Sequence, residues 1–286
     1  MEKMQLMDKK TNYTTYVFDL DGTLLNSKKQ VSSANASMLN LLQNKKKQII
    51  IATGRPYYMN LGLFNDLNIK GPMISANGSI IYDLSTKQLV YQSTIDKPTA
   101  KLITQYLEDN QIDYLGYTTY FMVGKNFNNP SWFNQRIYPF MKEDNKYKWD
   151  YREIEIAKNS DDLDFVKLLV LCEKNESKIA DLKQFLAQFN SIYTVASQQE
   201  VLDIMPKGTN KGNTLIKLAQ IYNINLNDAV AFGDADNDIE MLKAVGYPIA
   251  MGNAEESLKQ VAKDITLTND QDGVAIKIKE LEDEII

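Results

Sequence analysis

Residues 16–25 read YVFDLDGTLL. Tyr16, Val17 and Phe18 form a short apolar run with the pattern of a buried strand. Asp19 and Asp21 follow at once, with Leu20 between them, and Gly22 lets the backbone turn out of the strand. Period-two alternation aims both carboxylates the same way if the strand runs on to Asp21. Acids at the carboxyl end of a strand stand at the edge where open α/β sheets take their ligands. Two anions this close repel unless a cation binds, and Mg²⁺ suits one or two carboxylates with a substrate phosphate. Alone, the stretch reads equally well as a solvated Asp-Gly turn.

Three more strand ends repeat the pattern. Ile49, Ile50 and Ile51 lead into Ala52-Thr53-Gly54-Arg55-Pro56, where Thr53 offers a hydroxyl and Gly54 an N–H to a phosphate oxygen. Ala229 to Phe232 lead into Gly233-Asp234-Ala235-Asp236-Asn237-Asp238. An EF-hand is excluded there, since the loop lacks the glycine and glutamate that it requires. A helix cap uses one polar residue, not four. Lys211 precedes a helical stripe of Leu215, Ile216, Leu218, Ala219 and Tyr222; a lysine there is a solvated surface charge or a phosphate partner. Asn77-Gly78, between two strand-like runs, reads as a hairpin turn, with Asn77 serving the turn only.

The alternation of strands and helices over residues 1–83 and 196–286 predicts a doubly wound, mostly parallel α/β sheet. Between them, residues 84–195 hold most of the aromatics and mix helices (98–110, 176–190) with strands (112–123, 165–172), which predicts an inserted α+β domain. Residues 124–162 carry no clear pattern. The net charge of −5, without a basic run, speaks against nucleic acid as partner. No apolar stretch reaches the roughly 20 residues of a membrane span. The first residues carry no apolar signal core, so a cytoplasmic location is expected. With no histidine in the chain, Ser-His and Cys-His catalysis and histidine metal sites are excluded. The single cysteine, Cys172, reads as a buried strand residue.

In this order the clusters resemble the haloacid dehalogenase superfamily, in its Cof-type branch. DLDGTLL matches the first motif, ATGR the second, the lysine of NKG the third and GDADND the fourth; ANG, MGNA and NDQDGVA match lesser signatures. The resemblance covers nearly the whole chain and is loosest over 84–195, where that branch inserts its cap. It implies a Mg²⁺-dependent phosphatase acting on small phosphorylated molecules. Asp19 would be the nucleophile, and Asp21 general acid and then base. Thr53 and Gly54 would bind the phosphoryl group, and Lys211 would balance charge. Asn237 would reach the phosphate or orient Asp19. Asp234, Asp19 and the carbonyl of Leu20 would bind the metal beside the phosphate, with Asp238 in support and Asp21 also in the ligand set. Asp236 stands where the branch often has a small residue and is expected to face solvent. The cap would choose the substrate, and a monomer or weak homodimer is expected. Two alternatives stay open: a phosphomutase or phosphotransferase of the same superfamily, and a non-catalytic phosphate-binding regulator.

Overall fold

The computed structural model describes residues 12–124, 149–153, 156–171, 176–198 and 201–282. Cys172 and the aromatics Trp132, Phe133, Tyr138, Phe140 and Tyr147 lie outside them. In chain order the strands are β1 (Thr15–Phe18), β2 (Gln48–Ala52), β3 (Pro72–Ser75), β4 (Ile80–Asp83) and β5 (Gln88–Gln92). Then come β6 (Tyr114–Thr118), β7 (Met122–Gly124), β8 (Tyr151–Glu153), β9 (Phe165–Leu171), β10 (Ile192–Gln198) and β11 (Val201–Pro206). The last three are β12 (Ala229–Gly233), β13 (Tyr247–Ala250) and β14 (Asp264–Ile265).

Eight strands form one sheet in the order β14-β13-β12-β1-β2-β3-β4-β5, parallel from β14 to β3 and antiparallel at β4 and β5. Its centre is apolar on both faces: Val17, Phe18, Ile50, Val230 and Ala231 are fully buried, as covered parallel strands require. Helix Ser33–Asn44 starts at Ser32, whose hydroxyl accepts the Asn35 N–H at 3.1 Å. It is tied to helix Gly273–Leu281 by Asn35, which accepts from the Ala275 N–H at 3.0 Å. After β2 the chain forms a 3₁₀ turn, Tyr57–Met59, and a helix, Leu61–Asp66.

The second sheet has the order β10-β11-β9-β6-β7-β8, antiparallel except between β7 and β8. The expected strand over 112–123 is a hairpin, β6 and β7. Sheet pairing also moves the expected divisions at 84 and 196. Strand β5 pairs with β4 in the large sheet, after an Asx turn in which Asp83 accepts the N–H groups of Ser85 and Thr86. Strand β11 pairs with β9 and β10 in the small sheet. Both crossings therefore lie about ten residues later than expected: the first follows the edge strand β5, and the second follows the β10–β11 hairpin.

Candidate active site

Strands β1, β2 and β12 end side by side. The Asp19 N–H donates to the Phe232 carbonyl at 3.0 Å, so the ladder runs one residue past β1 and sets Asp19 beside the loop that follows β12. Lys211 arrives from elsewhere, as the first residue of helix Lys211–Tyr222, whose cap Asn210 accepts the Asn213 N–H at 2.7 Å. Its side chain is 1% exposed, and Nζ lies 2.6 Å from both Asp19 Oδ1 and Asp238 Oδ1. Asp238 Oδ2 accepts the N–H groups of Asp234 at 3.0 Å and Ala235 at 3.2 Å, which fixes the loop. Asp234 Oδ1 accepts the Thr23 hydroxyl at 2.8 Å.

One carboxylate oxygen from each of Asp19, Asp234 and Asp238 lies within 4.8 Å of the others. Three carboxylates against the one ammonium of Lys211 leave two negative charges in a buried space. Burial raises the Asp19 carboxyl well above its ordinary value and Asp238 and Asp234 add to the rise, while Lys211 opposes it without cancelling it. Asp234 is pushed up to about 6, by burial first and then by Asp238, against the Thr23 hydrogen bond and Lys211. Lys211 is held above its ordinary value because the charges of Asp19 and Asp238 outweigh the opposing effect of burial. A cluster of hard oxygen donors with two uncompensated charges fits a hard divalent cation. Gly22 makes room for the cluster: at φ 84°, a Cβ there would lie 2.2 Å from Asp234 Oδ2.

Asp21 is not one of the three gathered acids. Strand β1 ends at Phe18, so the alternation that would aim Asp21 with Asp19 does not reach it. Instead Arg55 grips it through Nε to Oδ2 and Nη2 to Oδ1, both 2.7 Å, and Lys29 Nζ lies 2.8 Å from Oδ1. Burial would raise its carboxyl, but Arg55 and Lys29 lower it to about 2. Leu20 is buried and its carbonyl accepts the Leu25 N–H at 2.8 Å, which closes the turn.

Thr53 is buried after β2, where its hydroxyl oxygen accepts the Arg55 N–H at 3.1 Å. The carbonyl of Gly54 accepts from Lys167 Nζ at 3.2 Å. Asn237 donates from Nδ2 to Asn77 Oδ1 at 3.1 Å, so its bonded neighbour is Asn77 and not Asp19. Asn77 does form the hairpin turn, at φ 53°, yet it is also 3% exposed and donates to Asp203 Oδ2 at 2.9 Å, so turn chemistry is only half its role. Asp236 is exposed and bonded to Ser257, as expected.

Sequence reasoning passed over Thr23, Arg55, Lys167 and Asp203 as site residues. Thr23 and Arg55 sit inside the quoted motifs. Lys167 in FVKLLVL and Asp203 in VLDIMP are single charges in otherwise apolar strands, and that interruption is the signal that would have found them.

The sequence profile described as haloacid dehalogenase-like hydrolase matches residues 16–278. The chain is 31% identical over 281 residues to Phosphatase YwpJ of Bacillus subtilis, covering 92% of this chain and 98% of that protein. It is 28% identical over 278 residues to the 5-amino-6-(5-phospho-D-ribitylamino)uracil phosphatase YwtE of the same organism, covering 92% and 96%. Among solved structures, a haloacid dehalogenase-like hydrolase from Bacteroides thetaiotaomicron superposes with a TM-score of 0.82 at 30% identity, covering 94% of this chain and 99% of that one. Clusters that stand far apart in sequence meet at one sheet edge, and the relatives share the chain nearly end to end: the protein belongs to the haloacid dehalogenase-like hydrolases, in their Cof-type phosphatase branch.

Proposed function

We propose that this chain is a Mg²⁺-dependent hydrolase of small phosphomonoesters, sugar phosphates or similar metabolites, working through an aspartyl-phosphate on Asp19. The observation that carries the reading is the buried contact of Lys211 with Asp19 and Asp238, beside Asp234, with the Thr53-Gly54 loop following the neighbouring strand β2. Asp19 Oδ attacks phosphorus, the bond to the leaving oxygen breaks, and Asp21 gives that oxygen a proton. Asp21 then takes a proton from water, whose attack releases phosphate and restores Asp19. Thr53 and the Gly54 N–H hold phosphoryl oxygens, and Lys211 balances the charge of Asp19 and the transferring group. Asp19, Asp234 and Asp238 would hold Mg²⁺, which supplies neutralisation of the developing phosphoryl charge. Asp21 must first leave the grip of Arg55, and a substrate phosphate is a competing partner for that guanidinium.

That YwpJ and YwtE are both named phosphatases supports water as the acceptor over a second sugar hydroxyl. A cytoplasmic location belongs to the same proposal, in keeping with phosphorylated metabolites as substrates; among the described residues no helix is long and apolar enough to cross a membrane. The test is phosphate release from a panel of small phosphomonoesters with Mg²⁺ and with EDTA. Turnover is expected with Mg²⁺ and is abolished by chelation and by Asp19→Asn. Full turnover in Asp19→Asn would remove the nucleophile.

A further inference from the structure

The small sheet turns one face to the large sheet. Antiparallel pairing sets Tyr117 opposite both Lys167 and Met122, and Leu169 opposite both Leu115 and Asp203. Residues directly opposite share a face, so these six side chains form one surface. Leu115, Tyr117 and Met122 belong to the core of the large sheet, whereas Tyr114, Leu168, Leu202 and Ile204 on the other face belong to a separate core. Within that otherwise apolar surface Lys167 and Asp203 form an ion pair at 3.1 Å, with side chains 4% and 0% exposed. A buried pair is seldom worth more than apolar residues of the same volume. Packing alone therefore does not account for it.

Its partners do. Lys167 Nζ, which also sits 4.5 Å from the Tyr117 ring centroid, donates to the carbonyl of Gly54 at 3.2 Å. Asp203 Oδ2 accepts Asn77 Nδ2 at 2.9 Å, and Asn77 Oδ1 accepts Asn237 Nδ2 at 3.1 Å. The Asn77 N–H donates to the Thr53 carbonyl at 3.1 Å. A Cβ on Gly54 would lie 2.8 Å from Asn77 Oδ1, so loop and network touch. One end of the ion pair thus holds the Thr53-Gly54 loop, and the other holds Asn237 through Asn77.

We propose that Lys167 and Asp203 are positioning residues, which set the Thr53-Gly54 loop and Asn237 in the places from which they bind the phosphoryl group. The inference rests on the reading of that loop as the phosphate site. Asp203 Oδ1 has no partner among the described residues, so direct contact with a leaving-group hydroxyl is the rival reading. The deciding variant is Lys167→Met with Asp203→Leu, an apolar replacement of the whole pair that retains the fold by the same energetic argument. It is compared with wild type and with Lys167→Arg on p-nitrophenyl phosphate and on the best ester of the panel. Misplacement of binding groups is expected to lower kcat by about 10- to 100-fold. The loss should be equal on both esters, inhibition by inorganic phosphate should weaken in parallel, and Lys167→Arg should recover part of it. A loss confined to KM for the larger ester would overturn the proposal in favour of substrate contact. Unchanged kcat in a folded variant would overturn it in favour of packing. Amide exchange at residues 53–55 and 77 is expected to quicken in the double variant, and unaltered exchange there would count against positioning even if wild type released phosphate from no ester.

Discussion

Lys211 brings the only ammonium among the described residues into contact with Asp19 and Asp238. Replacing it by Met leaves those buried carboxylates facing each other, a change that costs about 3–5 kcal/mol. Turnover should fall roughly 10²- to 10³-fold, the usual loss when one electrostatic donor is removed. If a cation sits among the same acids, Mg²⁺ should restore more stability to Lys211→Met than it adds to wild type, measured by urea unfolding with and without the ion. Equal increments would place the ion elsewhere. Gly22→Ala tests the same space from the other side: a methyl 2.2 Å from Asp234 Oδ2, on a backbone at φ 84°, must displace that carboxylate. Weaker Mg²⁺ activation at unchanged Asp19 chemistry is expected, and an unaltered Mg²⁺ titration would show that Asp234 is not a ligand. Asp19, Asp234 and Asp238 were legible because each lies within a few residues of a strand end, where the sheet edge gathers them. Lys167, Asp203 and Asn77 were not, because their meeting depends on the β9–β11 register and on the packing of one sheet against the other.

Among the elements, the parallel strands were readable from continuous apolar runs, since a strand covered on both faces has no polar side. Strand β5 escaped because it is a half-exposed edge strand. Strand β11 escaped because VLDIMP runs straight on towards the third-motif lysine, and nothing local tells which sheet it joins. The closing helix is fixed to β1 by a contact no periodicity predicts. Tyr16 donates its hydroxyl to Glu282 Oε1 at 2.5 Å, and Lys45 lies 3.2 Å from Oε2. Burial would raise the Glu282 carboxyl, but the hydrogen bonds from Tyr16 and Lys45 outweigh it and hold the group below its ordinary 4.5. A depressed carboxyl contributes stability above its unfolded pKa and loses it as pH falls through the folded value. Glu282→Gln should therefore cost on the order of 1 kcal/mol at pH 7. The gap to wild type should narrow as the pH falls below 4.5 and close once it is below the depressed folded value. A gap independent of pH in denaturant titrations would mean that the carboxylate charge plays no part in docking the helix.

At the scale of the whole molecule, the catalytic end of the large sheet lies under the inner face of the small one. Asp19 is 5% exposed and Lys211 1%. The roof contacts run continuously into the large core, through Tyr117, Met122, Val166 and Trp149. They are joined at the seam by Ser79 Oγ donating to the Val166 carbonyl at 2.7 Å and by Thr119 bonded to Gln92 at 2.8 Å. Under the proposed function, entry of substrate between the two sheets would expose this seam, and a ligand held from both sides would shift the population back towards the closed form. Trp149, 6% exposed at the seam, reports on that equilibrium. With Trp132, the other tryptophan of the chain, replaced by Phe, Trp149 becomes the sole indole. Its quenching by acrylamide should fall when Mg²⁺ and inorganic phosphate are added together, and should fall less in Lys167→Met, which removes a bond across the seam. A quenching constant that ignores phosphate would mean that the two sheets do not part, and substrate would then have to reach Asp19 by a route other than this seam.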